Sequence, residues 1–153
     1  MLISRTSQYA IQSLIYIATQ SQDTPILSRG AAEQLHVPSA YLAKIMQTLC
    51  KGGVLSSYRG RLGGFRLSET PDKITLMRIL LITEGPEFTK DCVLGLKVCS
   101  DETACPMHQK WKPIKEEIIS MLNEQTLATL SDAVLTGKYR LCDIPQVLLP
   151  NPA

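Results

Sequence analysis

Apolar residues recur through the first fifty positions at intervals of three and four, the spacing that aligns one face of an α-helix. Between Ser4 and Gln20, the residues Ala10, Ile11, Leu14, Ile17 and Ala18 form such a stripe and predict a first amphipathic helix, which "SQDTP" breaks. Ser28 is placed to cap a short second helix, "RGAAEQLH", whose Ala31, Ala32 and Leu35 allow close packing. The ring of Pro38 disfavours helical geometry at Val37, so "HVP" reads as a turn, and Ser39 is placed to cap a third helix, "AYLAKIMQTLCK". In that helix Leu42, Ile45, Met46 and Leu49 make one buried stripe. Tyr41, Lys44, Gln47, Thr48 and Lys51 make an opposite face rich in hydrogen-bond donors and free of acid.

The period then changes. "VLSSY" reads as a strand, "RGRLGG" as a turn and "FRL" as the returning strand. Two short helices followed by a hairpin with a glycine-rich, arginine-bearing tip predict a winged helix, whose second helix can enter a DNA major groove. Gly63 and Gly64 permit close backbone approach, while Arg59 and Arg61 can reach phosphates or a narrow minor groove. Candidate DNA contacts are therefore Ser28, Pro38, Ser39, Tyr41, Lys44, Arg59, Arg61, Gly63 and Gly64.

Further on, "TPDKITLMRILLITEG" predicts a helix from near Thr75, stopped by Gly85, whereas residues 86–104 have neither period. Beyond Cys105, the residues Trp111, Ile114, Ile118, Met121, Leu122 and Gln125 mark a long helix whose stripe is apolar except at its end. "TLATLSDAVL" predicts a short last helix capped by Thr126, and the aperiodic "CDIPQVLLPNPA" a loosely ordered tail. The expected class is mainly α with a small β-hairpin. The expected organisation is a winged helix-turn-helix DNA-binding domain over residues 1–84, a cysteine loop over 85–110, a dimerisation helix region over 111–135 and a C-terminal tail over 136–153. The late apolar stripe suits a homodimer on double-stranded DNA with a pseudo-palindromic operator, its two recognition helices about 34 Å apart.

Charge strengthens that expectation. The formal net charge of +2 conceals a basic sector, because no acidic residue lies between Glu33 and Glu69 while Lys44, Lys51, Arg59, Arg61 and Arg66 all do. The chain has 153 residues, 44% of them hydrophobic, enough for one core. Its apolar runs are too short for a membrane span, and Arg5 with its polar neighbours argues against a secretory signal, so a cytoplasmic protein without membrane association is expected. No phosphate loop, paired-carboxylate motif or nucleophile motif points to an enzyme.

Three of the five cysteines fall within "CVLGLKVCSDETACPMH". Cys92, Cys99, Cys105 and His108 are separated by six, five and two residues, and thiolate with imidazole suits iron-sulfur clusters, zinc or copper. Structural zinc favours pairs two to four residues apart, and here only Cys105 and His108 are that close. Wider spacing around Gly95 favours a larger object, a 2Fe-2S cluster with four protein ligands. Metal-free thiol oxidation and zinc stay open as alternatives. Cys50 reads as a core thiol and Cys142 as incidental.

Together, "YAIQSLIYIA", "AEQLHVPSAYLAKIMQTLCKGGVLSSYRGRLGGFRLS" and the cysteine triad resemble the Rrf-two type winged-helix transcriptional regulators, a family with iron-sulfur and nitric-oxide-sensing members. The resemblance runs to about Val134. It implies a dimeric transcription factor, repressor or activator, with the long helix as dimer interface and cluster state as redox-sensitive control of DNA binding. By position it implies that Ser39, Tyr41 and Lys44 face DNA, that Arg59 is the wing arginine, and that Cys92, Cys99 and Cys105 hold the cluster with His108 as fourth ligand. The first gap holds six residues where better-known members usually have five. Some relatives recruit a carboxylate from the partner's first helix, where this chain offers only Gln8; that favours 2Fe-2S over 4Fe-4S. A metal-free repressor and an iron-sulfur electron carrier are the rival readings.

Overall fold

The computed structural model describes residues 3–142, and the predicted loose tail lies outside these beyond Cys142. The first helix, α1 (Arg5–Thr19), starts at Ser4, whose side chain accepts from the Ser7 N–H. It is followed by α2 (Ser28–Leu35) and α3 (Ser39–Lys51). Neither of the predicted serine caps forms. Ser28 and Ser39 are the first residues inside their helices, and Leu27 and Pro38 occupy the capping positions without a side-chain bond. Pro38 accounts for the second case, since its fixed φ suits a helix entry and leaves Ser39 one residue too far along. The sharp turn between the two helices comes from His36, which ends α2 at φ 55 and ψ 42, and buried Val37, whose N–H bonds the Ala32 carbonyl.

The wing is the antiparallel pair β1 (Leu55–Tyr58) and β2 (Gly64–Leu67), with Leu55 opposite Leu67 and Tyr58 opposite Gly64. Ile26, ahead of α2, adds a bridge to Phe65 through two backbone bonds of 2.8 Å, so the wing is stitched to the segment before α2 close to its turn. A helix α4 (Leu76–Thr83) follows, beginning near Thr75 as predicted, with the Thr75 side chain capping it by accepting from the Arg78 N–H. Gly85, at φ 95, then turns the chain into the 3-10 turn Pro86–Thr89. The long α5 (His108–Glu124) and α6 (Leu127–Leu135) complete the chain, α6 opening on a capping box at Thr126.

The core forms around α1. Ala10, Leu14 and Ile17 are buried with Leu42, Met46 and Leu49 of α3, Ile79 of α4 and Leu127 of α6. The last helix therefore folds back onto α1 and closes the same core that seats the helix-turn-helix. A smaller cluster of Met77, Leu80 and Leu122 joins α4 to α5. At the start of α1, the Glu84 carboxylate accepts from the Ser4 backbone N–H at 2.7 Å and from the buried Ser7 hydroxyl. Burial works against its ionised form, but the bonds from Ser4 and Ser7 outweigh it and hold Glu84 below the usual carboxylate range.

Leu127→Ala should cost about 2–5 kcal/mol in chemical denaturation, since it opens a cavity between α1 and α6. A cost under about 0.5 kcal/mol would contradict the shared core. A carboxyl depressed on folding contributes stability above its unfolded value near about 4.3, and loses it as pH falls through the folded value. Glu84→Gln should accordingly flatten the fall in melting temperature below about pH 5, and an unchanged acid limb would refute the clamp.

Candidate functional site

On the basic side, Lys44, Gln47, Thr48 and Lys51 of α3 are exposed, as are Pro38 and Ser39 at its start. Helix α3 has no acid in its first turn and no side-chain cap, so its leading N–H groups stay open to an anionic acceptor. Tyr41 departs from the expected outer face. Its hydroxyl hydrogen-bonds Thr6 and its ring meets Tyr9 edge-on at 5.8 Å, which ties α3 to α1. Ser28, half-buried at the start of α2, makes no cap.

In the wing, the Gly63 N–H bonds the Gly60 carbonyl at 3.0 Å, and Arg59, Arg61 and Leu62 stand exposed around this turn. Gly64 sits at φ 142, where an added Cβ would lie 2.6 Å from the Ile26 carbonyl oxygen; a Cβ on Gly63 would lie 2.5 Å from that of Tyr58. Gly64 thus lets the wing lie against the body at Ile26, and Gly63 keeps the wing's own turn tight against Tyr58 and Gly60. Arg66, counted in the basic sector by sequence, is drawn inward, bonding the Asp23 carbonyl and lying 5.3 Å over the Tyr58 ring.

The cysteine loop presents its donors as two pairs. Cys92 Sγ stands 3.5 Å from Cys105 Sγ, and Cys99 Sγ stands 3.6 Å from His108 Nδ1. All five cysteines are free thiols. A disulfide needs about 2.05 Å between sulfurs. Two ligands of one tetrahedral metal, at about 2.3 Å for sulfur and about 2.0–2.1 Å for nitrogen, stand about 3.8 Å apart for two sulfurs and about 3.6 Å for sulfur and nitrogen. Each pair thus fits one edge of a metal tetrahedron. Among the described residues, no three His, Cys, Asp or Glu side chains form a group able to hold one ion.

Helix α5 holds the loop from below. Its first residue is His108, 3% exposed, whose Nε2 lies 2.8 Å from Asp101 Oδ1. Lys112 Nζ bonds both Asp101 oxygens at 3.0 and 2.8 Å, and Lys115 Nζ bonds the Asp91 carbonyl at 3.2 Å, next to Cys92. The Lys112 ammonium, then His108, hold the Asp101 carboxyl below its usual range, and Asp101 in turn raises Lys112. The Cys92 thiol is lowered chiefly by the Leu94 N–H, against the effect of burial. Burial pushes the Cys50 thiol up, in keeping with a core thiol. Cys142 packs on the main core with its thiol 3.9 Å from the Gln34 carbonyl.

Asp101, Lys112 and Lys115 were not among the residues singled out by sequence. Lys112 lies four residues after His108, one helical turn on, and that spacing was the available signal.

A family model described as "Rrf2: Iron-dependent Transcriptional regulator" matches residues 3–133. The chain belongs to the Rrf2 family. It is 33% identical over 132 residues, 85% of this chain and 91% of the relative, to a protein assigned as an HTH-type transcriptional regulator in Aquifex aeolicus. It is 29% identical over 131 residues to the HTH-type transcriptional regulator IscR of Aliivibrio salmonicida, covering 85% of this chain and 77% of that one. Among solved structures it resembles CymR, the global cysteine regulator of B. subtilis, with a TM-score of 0.73 and 25% identity over 86% of this chain and 96% of that one. The Rrf2 relatives are transcriptional regulators, not enzymes, and DNA binding follows from the family. No helix among the described residues is long and apolar enough to cross a membrane.

Gly64→Ala should destabilise this protein by about 1 kcal/mol or more and weaken DNA binding while the helical circular dichroism signal persists. Wild-type stability and affinity in that variant would refute the close approach of wing and Ile26.

Proposed function

We propose that this Rrf2 regulator binds its operator under the control of a 2Fe-2S cluster held by Cys92 and Cys105 on one iron and by Cys99 and His108 on the other. The observation that carries this is the division of four donors into two pairs, each at the spacing of one metal tetrahedron edge. A 4Fe-4S cluster takes one protein ligand per iron, which close pairs do not offer. Bound there, the cluster supplies a redox-active, chemically labile centre. Everything else is done by the chain. Holding Cys92 to Cys105 closes the loop from the end of α4 to the start of α5, and holding Cys99 to His108 seats its middle on α5.

Two copies pair through α5, where Ile114 and Met121 are 49% and 50% exposed on a helix otherwise bound to the core by Leu122. In that dimer the recognition helices meet successive major grooves of a pseudo-palindromic site, with Lys44, Arg59 and Arg61 as its cationic contacts. Fixing the loop on α5 fixes the angle between the dimer helix and the reading head, and releasing it shifts the population of binding-competent dimers. A cytoplasmic location accords with this role.

A second reading, a thiol switch without metal, is favoured by the likeness to CymR and by the contact of Cys92 with Cys105. There, an oxidant takes two electrons and two protons as a sulfur-sulfur bond forms. An electron carrier is disfavoured because the Rrf2 relatives are regulators.

Protein purified without oxygen should be coloured, with iron and acid-labile sulfide in equal amounts, and its operator affinity should differ between cluster-loaded and cluster-free forms. Colourless protein with one zinc per chain would overturn the cluster. Arg59→Ala should lower the slope of log affinity against log salt by about 1, and an unchanged slope would remove Arg59 from the DNA contact.

A further inference from the structure

The loop contains one polar linkage that neither the family nor the ligand set accounts for. His108 is shielded from solvent, with one ring nitrogen toward Cys99 and the other at 2.8 Å from Asp101 Oδ1. A neutral imidazole carries a single N–H, and a carboxylate can only accept. The proton therefore belongs on Nε2, which leaves the Nδ1 lone pair facing Cys99. The carboxylate is itself held on both oxygens by Lys112, one turn further along the helix that His108 begins. Asp101 and Lys112 are exposed, 71% and 44% at the side chain, and an exposed ion pair adds little to stability. Its use lies in orientation. Among the described residues, Asp101 is the one side chain that bonds Nε2.

We propose that Asp101, anchored by Lys112, is a positioning residue that fixes His108 as its Nε2–H tautomer and so selects Nδ1 as the ligand atom beside Cys99. Selection of a ligand atom rests on the cluster reading above; selection of the tautomer does not. A carboxylate behind a ligating imidazole also raises the basicity of the ligand nitrogen, and removing such a group elsewhere typically weakens metal retention about 10–100-fold.

The test is made on the cluster-free chain first. Long-range 1H–15N correlation spectra of histidine-labelled protein, at a pH where the ring is neutral, should show a single Nε2–H tautomer for His108 in the wild type. Asp101→Ala should show a mixture with Nδ1–H while its circular dichroism stays that of the wild type. After reconstitution with iron and sulfide, the half-life of the visible absorption in air should fall at least several-fold in Asp101→Ala. A variant that keeps the single Nε2–H tautomer and the wild-type half-life would overturn the positioning role. Failure of the wild type to take up iron and sulfide would instead sink the cluster reading, and the tautomer comparison would still decide the role of Asp101.

Discussion

Helix α1 is enclosed by α2, α3, α4, α6 and the wing strand β2, with Ala10, Leu14 and Ile17 buried at the centre of the fold. Close-packed interiors transmit displacement instead of absorbing it, so α1 cannot shift without moving the helix-turn-helix on one side and α6 on the other. Its N-terminal end is held by polar contacts as well. Glu84, at the end of α4, grips Ser4 and Ser7, while Thr6 bonds the Tyr41 hydroxyl on the recognition helix. The residue that starts the path to the cysteine loop and the residue that steadies the reading head therefore share one support.

From Glu84 the chain passes through Gly85 and the 3-10 turn into the loop, and the loop is fastened to α5 by Lys112 and Lys115. Helix α5 is in turn joined to α4 through Leu122, Met77 and Leu80. A change in how the loop sits on α5 thus has a short packed route to α4, to α1 and to α3. Coupling of a few kcal/mol over such a route is of the size that allosteric regulators use, about 1–3 kcal/mol. In the proposed dimer, the half-exposed Ile114 and Met121 of α5 are where the same change would reach a second copy.

Much of this could be read in the sequence because it depends on local rules. The stripes of α1, α3 and α5, the start of α4 near Thr75 and the cap at Thr126 follow from helical spacing and short-range hydrogen bonds. The wing followed from its glycines. Where reading failed, tertiary geometry decided. Pro38 took the cap position from Ser39, Arg66 left the basic surface for Tyr58 and Asp23, and Tyr41 turned toward Thr6 and Tyr9. The four sulfur and nitrogen donors were legible as a group, but not their partition. That depends on how 15 loop residues between Cys92 and His108 fold back on α5, which no local period encodes. Asp101 was invisible for the same reason, since its role comes from lying between two side chains of a helix it precedes.

The central claim is that Cys92 with Cys105, and Cys99 with His108, each hold one iron of a 2Fe-2S cluster. Mössbauer spectroscopy of iron-57-reconstituted protein tests it most directly. The account predicts two ferric sites in equal amount, one with the parameters of an all-sulfur environment and the other shifted by its nitrogen ligand. A single type of iron site, or iron that fails to bind with sulfide at all, would contradict it.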